Sequence, residues 1–405
     1  MKSIELFGGA GGLGMGIQIA GFEHVAVVEW DKYACDTIRE NQRRGFPLVA
    51  DWSLTEGDVR AFDFSGFPEG IDLIAGGPPC QPFSMGGKHR AYNDERDMFP
   101  VMIDVIRRLK PRAFIVENVK GLTRSSFANY FQYILLQLEF PDVARRSGEE
   151  WQGHHKRLQT EKTSGKLHSG AYLAYNVIHT LVNAANHGIP QKRERVFIAG
   201  FRDDQGIEWN FPAETHSLDA LLYDQWLSGV YWERHKVATS CRPALPAALE
   251  LRLNRLRELD KPLFHQPWRT VRDALAGLPD PEQTTDSSFH NHRFQAGARI
   301  YPGHTGSPLD LPAKTLKAGD HGVPGGENML VKENGAVRYF TVRESARLQT
   351  FPDGFVFHGA WTESMRQLGN AVPVGLAHLV GSSVAEKLVK SEMNRLISQR
   401  TGRMQ

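Results

Sequence analysis

Short apolar runs recur along the first half of the chain, and segments with helical periodicity separate them. These runs predict β-strands over Ser3–Phe7, Val25–Glu29, Ile71–Ala75, Ala113–Glu117 and Val196–Gly200. Between two of the strands, apolar residues recur at helical spacing from Met102 to Leu109, and Pro111 ends that helix. Strands that alternate with helices predict an α/β fold with a doubly wound, mostly parallel sheet.

The alternation stops near residue 206 and returns close to the C-terminus. Between about 206 and 335, Pro, Gly and Trp interrupt short segments, and this change marks a second, smaller and irregular domain. An apolar stripe from Leu376 to Leu388 predicts a C-terminal helix. We therefore expect one domain to comprise residues 1–205 plus 360–405 and the other to comprise residues 206–359. The polar stretch 141–170 is typical of an insertion.

Composition is that of a globular protein with a full core. Of the 405 residues, 41% are hydrophobic and 23% are charged, and no run reaches the roughly 18 apolar residues of a membrane span. The N-terminus has no secretory signal pattern, so we expect a cytoplasmic protein. Cys35, Cys80 and Cys241 show neither a disulfide framework nor zinc-site spacing, and we expect no metal. With a formal net charge of +2, any surface for nucleic acid must be local.

A glycine-rich turn follows the first predicted strand, at Phe7-Gly8-Gly9-Ala10-Gly11-Gly12. Such a turn lets the backbone approach a ligand closely, but several nucleotide-binding folds use one. Glu29 ends the second strand, where an acid can bind ribose hydroxyls, and the flat face of Trp30 suits an adenine. Asp58, after a possible third strand, could accept a bond from an exocyclic amine. Singly these are a surface acid, a core tryptophan and a turn aspartate; together they predict an adenosine site.

Three polar clusters stand at strand ends, where open α/β sheets bind ligands. Pro78-Pro79-Cys80-Gln81 and Glu117-Asn118-Val119 each follow a strand, and Gln191-Lys192-Arg193-Glu194-Arg195 precedes one. Methylation of cytosine at C5 is a chemistry that needs such a set. A thiolate that adds to C6 makes C5 nucleophilic enough to accept a methyl group. Glu117 could protonate or bind N3 of the base, and Arg195 could hold O2. The alternative for Cys80 is a buried structural thiol, which its Pro-Pro-Cys-Gln setting disfavours.

Eight ordered motifs closely resemble the DNA (cytosine-5) methyltransferase family of bacterial restriction–modification systems. They cover nearly the whole chain apart from about 206–335, and they are Phe7–Gly12, Glu29-Trp30, Gly57-Asp58-Val59, Pro79-Cys80-Gln81, Glu117-Asn118-Val119, Gln191-x-Arg193-x-Arg195, Arg338–Gln349 and Gln367–Pro373. The resemblance implies a Rossmann-like fold, the cofactor S-adenosyl-L-methionine and a flipped cytosine as substrate. It also implies that the C-terminal helix returns to the first domain.

The resemblance assigns residues to a catalytic and a cofactor-binding group. The implied catalytic group is Cys80, Glu117, Arg195, Arg193, Pro79, Gln81 and Asn118. The implied cofactor-binding group is Phe7, Gly9, Gly11, Gly12, Leu13, Glu29, Trp30, Asp58, Val59, Pro78, Asn370, Ala371 and Val372. The base that removes the C5 proton is not identified by any side chain in the sequence.

Double-stranded DNA is the implied partner, and two stretches are predicted to bind it. Cys80–Met98 would be a loop that closes over DNA, with Ser84, Lys88 and Arg90 as phosphate contacts. The second domain would recognise the target sequence, with candidate contacts at Arg293, Arg299, Lys314, Thr315, Leu316 and Lys317. For residues 141–170, a DNA-contacting lobe and an inert surface insertion are equally compatible with the sequence.

Other functions fit the sequence less well. A tRNA cytosine-5 methyltransferase built on the same motifs is the nearest alternative, but a Cys-Phe-Thr signature is absent. An inactive paralogue would be expected to lack Cys80, Glu117 or Arg195, and a nicotinamide dehydrogenase would leave Pro79-Cys80-Gln81 without a role. We expect a monomer that associates with the bacterial nucleoid through DNA, with a possible cognate restriction endonuclease acting on the same sequence. The recognised DNA sequence does not follow from the residues.

Overall fold

The computed structural model describes residues 1–79, 97–168, 170–258, 265–283, 288–302, 304–319 and 328–402. Within them the centre is a seven-stranded sheet, formed by β1 (Lys2–Leu6), β2 (Glu23–Glu29), β3 (Leu54–Glu56), β4 (Leu73–Gly76), β5 (Ala113–Val119), β6 (Tyr175–Asn183) and β7 (Glu194–Arg202). Their order across the sheet is β3-β2-β1-β4-β5-β7-β6. Neighbouring strands are parallel except at β7, which is antiparallel to both β5 and β6. The predicted doubly wound, mostly parallel sheet is confirmed.

Strand β6 is the element that the apolar pattern fails to predict. It forms one edge of the sheet and pairs with β7 alone. Most of its side chains are exposed or half-buried, so the sequence Tyr175–Asn183 carries polar residues where a central strand would be continuously apolar. The other strands lie where the pattern places them, and Asp58 follows β3 as expected.

Helices cover both faces of the sheet. Those between and after its strands are α1 (Gly12–Ile19), α2 (Lys32–Arg43), α3 (Phe99–Leu109), α4 (Ala128–Glu139) and α5 (Trp151–Thr163). Helix α3 illustrates why they form, because its buried residues recur every three or four positions from Phe99 to Leu109. It ends at Lys110, whose φ of 45° is left-handed, and Pro111 follows.

The irregular stretch after β7 contains short elements. These are β8 (His216–Ser217), α6 (Leu218–Leu222), α7 (Val230–Arg234), α8 (Ala247–Arg257), β9 (Gln266–Pro267), α9 (Val271–Leu275), β10 (Ser307–Pro308), β11 (Met329–Val331), β12 (Val337–Tyr339) and α10 (Val342–Leu348). One apolar core joins this stretch to the first part of the chain, since Ala10 and Met15 cluster with Leu316 and Leu330. The proposed division at residues 205 and 360 remains a prediction.

The chain ends with α11 (Trp361–Asn370) and α12 (Val374–Gly402), and α12 returns to the first part of the molecule. It packs against α1 at very short range. A Cβ on Gly16 would lie 2.4 Å from Ala377 Cβ, and one on Gly381 would lie 3.1 Å from Ala20 Cβ. Glycines at these two positions therefore permit the close approach of the helices.

The stretch 141–170 contributes α5, which packs on α4. The Tyr133 hydroxyl lies 2.8 Å from Nδ1 of His154, and Nε2 of His154 lies 2.7 Å from Val143 O. Leu158 is fully buried in the same core as the central sheet. This part of the insertion is thus integrated into the core that covers the central sheet.

One stretch, Trp361–Gln399, is long and apolar enough to be considered as a membrane span among the described residues. However, 67% of its most apolar window is buried inside the fold. Much of the apolar surface of α12 is therefore accounted for by the protein core, with α1 as a main partner, whereas Val389, Met393, Leu396 and Ile397 near its end are exposed.

Candidate active site

The glycine-rich turn after β1 depends on left-handed backbone conformations. The φ angles of Gly9 and Gly11 are 53° and 86°, and Phe7, which is not a glycine, has a φ of 59°. At Gly12 space is limiting instead, because a Cβ there would lie 2.3 Å from the carbonyl oxygen of Val372. The turn is therefore in close contact with the C-terminal part of the chain.

Glu29 ends β2, and its carboxylate binds the glycine-rich turn. Oε2 accepts a hydrogen bond from Gly9 N at 2.7 Å, and Oε1 accepts from Trp30 N at 2.9 Å and from Asp31 N at 2.7 Å. Burial raises the pKa of Glu29, and these backbone bonds oppose the rise. Each carboxylate oxygen can accept two bonds, and among the described residues Oε2 accepts the one from Gly9, which leaves a position suited to a hydroxyl.

Trp30 and Asp58 follow the carboxyl ends of the neighbouring parallel strands β2 and β3, so both lie at the same edge of the sheet. Trp30 is 72% exposed, so it is not a core tryptophan and its ring is open to a ligand. Asp58 caps a short helical turn, where it accepts from Arg60 N at 2.9 Å, and its carboxylate is paired with the Arg60 guanidinium. These bonds to Arg60 lower the pKa of Asp58. Val59, its neighbour, is buried in the core.

The turn between α11 and α12 completes this side of the site. Asn370 is exposed, whereas Ala371 and Val372 are buried. Val372 shares a core cluster with Leu13, next to the carbonyl contact at Gly12. The structure thus brings together the N-terminal and C-terminal residues that the sequence assigns to one cofactor site.

Asn118 fixes the turn that follows β4. It is 2% exposed, and its Nδ2 donates to the carbonyl oxygen of Pro78 at 3.1 Å. Pro78 is buried and Pro79 is exposed. Cys80 and Gln81 come next in the chain and lie outside the described residues. Asn118 therefore anchors the backbone two residues before the predicted nucleophile.

Glu117 and Arg195 form a buried ion pair on β5 and β7. Arg195 Nε lies 2.8 Å from Glu117 Oε1, and only about a tenth of each side chain is exposed, at 11% and 9% respectively. Burial raises the pKa of Glu117, although Arg195 and Arg193 act in the opposite direction. The raised pKa makes the protonated form of this carboxyl more accessible than that of a carboxyl in water.

Arg193 points into the protein interior and is 0% exposed. Its Nη1 donates to Leu316 O at 3.2 Å, and its Nη2 donates to Gly369 O at 2.8 Å. The two terminal nitrogens are thus engaged by main-chain carbonyls from both later segments of the chain. Arg195, two residues further on, carries the contact with Glu117.

Comparison with known families agrees with this geometry. The profile of the family described as C-5 cytosine-specific DNA methylase matches residues 1–142 and 152–386. The chain belongs to this family. The nine residues between the matched parts, 143–151, lie within the stretch 141–170 that the sequence marks as an insertion.

Bacterial relatives extend along most of the chain. Type II methyltransferase M.NgoMIV of Neisseria gonorrhoeae is 29% identical over 398 residues, which cover 96% of this chain and 98% of that protein. Type II methyltransferase M.PspPI of Psychrobacter sp. is 30% identical over 394 residues, covering 95% and 79%. Among solved structures, S. pombe Dnmt2 has the same fold, with a TM-score of 0.53 and 17% identity over 96% of this chain and 99% of that one. The protein is thus a DNA (cytosine-5) methyltransferase of the bacterial restriction–modification type.

The DNA contacts predicted for this methyltransferase fall into three groups. Ser84, Lys88 and Arg90 lie outside the described residues. Arg293 and Arg299 are exposed, as a contact with DNA requires. The third group lies in the segment 313–318, which we call the recognition segment.

The recognition segment is hydrogen-bonded to the residues just before β7. Lys192 N donates to Ala313 O at 2.7 Å, and Thr315 Oγ1 donates to Lys192 O at 2.6 Å. Leu316 is only 1% exposed, so its side chain belongs to the core rather than to a DNA-facing surface. Lys314 Nζ donates to Thr305 Oγ1 at 2.6 Å, and the backbone of Lys317 exchanges bonds with the side chain of Asn328.

Two buried polar residues of the methyltransferase were not assigned a role from sequence. Gln191 is fully buried, and its Oε1 accepts from Leu316 N at 3.2 Å. Glu5 lies on β1 just before the glycine-rich turn, and burial raises its pKa well above the ordinary value. An acid between the apolar residues Ile4 and Leu6, next to that turn, was the one available signal for Glu5.

Proposed function

We propose that the methyltransferase transfers a methyl group from S-adenosyl-L-methionine to C5 of a cytosine in a short double-stranded DNA sequence. The observation that carries the proposal is the buried Glu117–Arg195 pair, which lies beside the turn that Asn118 anchors before Cys80. Family membership supports DNA cytosine as the substrate. The cofactor, the covalent step and the flipped base are the further steps of this proposal.

The residues around the glycine-rich turn fit an adenosine group. Glu29 Oε2 retains an acceptor position suited to a ribose hydroxyl, and the exposed ring of Trp30 suits stacking on adenine. Asp58 and the turn at Asn370, Ala371 and Val372 would complete the binding site. When bound, S-adenosyl-L-methionine supplies an electrophilic methyl group.

Cys80 is our proposed nucleophile. Its thiolate would form a bond to C6 of the cytosine, which makes C5 electron-rich enough to form the new bond to the methyl carbon; the bond between that carbon and the cofactor's sulfonium sulfur would break, and S-adenosylhomocysteine would leave. A base then removes the C5 proton, and the thiolate leaves as the C5–C6 double bond is restored. Because a cytosine inside a duplex cannot reach this position, the base must first be flipped out, at a cost of a few kcal/mol.

Glu117 and Arg195 would act on the ring during this addition. A protonated Glu117 can donate to N3 as the ring gains electron density, and its burial favours the protonated form. Arg195, held against Glu117, can bind O2 and offset the developing negative charge. Charge-assisted bonds of this kind are strongest when water is excluded, and the low exposure of both side chains meets that condition.

The biological role that fits the Type II relatives is protection of host DNA. A methyl group at C5 lies in the major groove, where it changes the surface that a restriction endonuclease reads. We infer that the protein acts as a cytoplasmic monomer on chromosomal DNA, beside a cognate endonuclease with the same target. One flipped base per active site makes one subunit sufficient.

Methyl transfer from radiolabelled cofactor tests the proposal. Purified protein is incubated with duplex DNA or with tRNA, and the same assay is run with Cys80→Ser. Label in DNA but not in tRNA, lost in Cys80→Ser with cofactor affinity retained, is the expected result. Label in tRNA alone would make the protein an RNA methyltransferase, and an active Cys80→Ser would remove the covalent step.

A further inference from the structure

Arg193 is a buried cation with a specific set of partners. Its terminal nitrogens bind Leu316 O and Gly369 O, and its Nε has no hydrogen-bond partner among the described residues. Burial lowers the pKa of this guanidinium. A buried charge is costly unless it is compensated, and the two main-chain carbonyls supply part of that compensation.

Three segments of the chain meet around Arg193, and two further contacts hold them together. Gln191, two residues before Arg193, accepts from Leu316 N at 3.2 Å, so the recognition segment is held at both N–H and C=O. A Cβ on Gly369 would lie 2.2 Å from Ala318 N, so the recognition segment packs directly on the end of α11. The three parts that meet are the recognition segment, the start of β7 and the turn at residues 369–372, which we call the cofactor-side turn.

The cofactor-side turn also contacts the glycine-rich turn that follows β1. Val372 O is the atom that a Cβ on Gly12 would meet at 2.3 Å. Gln349 Nε2 donates to Leu368 O at 2.6 Å and so secures the other end of the turn. A displacement of Gly369 O would therefore shift the backbone that packs against Gly12 at the predicted cofactor site.

Glu117 is the carboxyl on which the charge of Arg193 acts. The described charged groups that act on Glu117 are Arg195, whose Nε lies 2.8 Å from Glu117 Oε1, and Arg193, which stands two residues before Arg195 in the chain. Both cations favour the ionised carboxylate, whereas burial favours the protonated acid. The Arg193 guanidinium thus contacts the recognition segment and the cofactor-side turn, and its charge favours the ionised form of the Glu117 carboxyl.

We propose that Arg193 is a positioning residue that couples the recognition segment and the cofactor-side turn to the Glu117 carboxyl. Its two carbonyl bonds fix the segments that bind DNA and cofactor, while its charge sets how readily Glu117 holds its proton. Binding of the correct DNA sequence is thereby linked to the proton donor through one side chain. The coupling rests on the proposed function, and it adds to that function a route from target recognition to catalysis.

Three variants separate coupling from simple structural support. Arg193→Gln removes the charge, and Arg193→Lys retains the charge but cannot span both carbonyls. Arg343→Gln is the matched control, because Arg343 is also fully buried and donates to the carbonyls of His290, Pro352 and Phe355. All three variants are expected to lower the melting temperature, so stability alone does not distinguish them.

The pH dependence of single-turnover methyl transfer is the first measurement. If protonated Glu117 is the active form, activity falls as the pH rises through its pKa. Loss of the Arg193 charge raises that pKa, so the alkaline limb of Arg193→Gln should move upward by roughly one pH unit. The limbs of Arg343→Gln and Arg193→Lys should coincide with the wild type. An Arg193→Gln limb that coincides with that of Arg343→Gln would overturn the proposal.

Ligand affinity of Arg193→Lys is the second measurement, and it applies even if Arg193→Gln does not fold. Loss of one carbonyl bond should raise two quantities by about 2- to 10-fold, the equivalent of one hydrogen bond. They are the dissociation constant of S-adenosyl-L-methionine, measured by calorimetry, and the KM for DNA. Wild-type values for both would overturn the coupling. Calorimetry needs no turnover. A wild-type protein without methyl-transfer activity would therefore count against the proposed function, while the effect of Arg193→Lys on cofactor binding would still test the coupling.

Discussion

Arg195 Nε lies 2.8 Å from Glu117 Oε1 because the two residues are diagonal neighbours on antiparallel strands. In the register of β5 and β7, Arg195 pairs with Val119, two positions after Glu117. Residues two apart on a strand share a face, so both side chains point to the same side of the sheet. The antiparallel direction of β7 also brings its first residues to the edge where the parallel strands end.

Glu117→Gln is expected to abolish most of the proton donation while it preserves shape. The amide cannot transfer a proton to N3, so kcat should fall by about 10²- to 10⁴-fold. Cofactor affinity should remain within about twofold, because Glu117 is not among the residues of the cofactor site. Single-turnover kinetics with calorimetry as the control measures both quantities. Wild-type kcat in Glu117→Gln would exclude the proton-donor role.

Asn118→Ala tests the anchor before the predicted nucleophile. Loss of the 3.1 Å bond to Pro78 O frees the turn that leads to Cys80, so the thiol is held less accurately. We expect kcat to fall by about 10²-fold, with the KM for DNA changed less. Asn118→Asp, which keeps the size but has no N–H to donate, should behave like the alanine variant. Full activity in Asn118→Asp would mean that this bond is dispensable.

Trp30→Ala should weaken cofactor binding without loss of stability. The ring is 72% exposed, so its removal takes little from the core. Loss of stacking should cost about 1 kcal/mol, or roughly fivefold in the dissociation constant. Trp209, which is buried, is the matched control, because Trp209→Ala should lower the melting temperature strongly. Unchanged cofactor affinity in Trp30→Ala would remove Trp30 from the site.

His24 predicts an acid-sensitive component of stability. The imidazole is buried on β2, where Nε2 lies 2.9 Å from Gly14 O and Nδ1 lies 3.0 Å from Ser3 Oγ. Burial lowers the pKa of His24 from 6.5 to about 4, and the bond to Gly14 opposes this. Between these pH values the unfolded chain binds a proton that the folded protein does not, so stability falls as the pH drops from 6.5 towards 4.

Thermal unfolding between pH 7 and pH 4.5 measures this component. His24→Gln does not titrate, so its melting temperature should depend less steeply on pH than that of the wild type. The substitute for His24 must be uncharged, because Glu5 Oε2 lies 3.8 Å from His24 Nε2 and a new charge there would interact with that carboxyl. Parallel pH profiles for the wild type and His24→Gln would assign the acid sensitivity to other groups.

The sequence predicts those parts of the site that depend on strand ends. Glu29 and Glu117 stand at the carboxyl ends of parallel strands, and such ends meet at one edge whatever the details of packing. The position of Arg195 required the direction of β7, which no apolar pattern reveals. The edge strand β6 was missed because an edge strand does not need a continuous apolar run.

Buried polar residues are the other limit of sequence reasoning. Arg193, Gln191 and Arg343 are fully buried, although arginine and glutamine are mostly found at protein surfaces. Their burial depends on main-chain carbonyls and amides supplied by distant segments, such as Leu316 and Gly369. Leu316 itself shows the converse, because a residue expected at the DNA surface fills the core.

Sequencing of methylated plasmid DNA tests the central claim most directly. Plasmid is incubated with the purified protein and S-adenosyl-L-methionine, and bisulfite sequencing then locates each cytosine protected by a C5 methyl group. Our account predicts protected cytosines confined to one short sequence motif, and none after treatment with Cys80→Ser. Unprotected plasmid, from a protein that binds the cofactor in calorimetry, would contradict it.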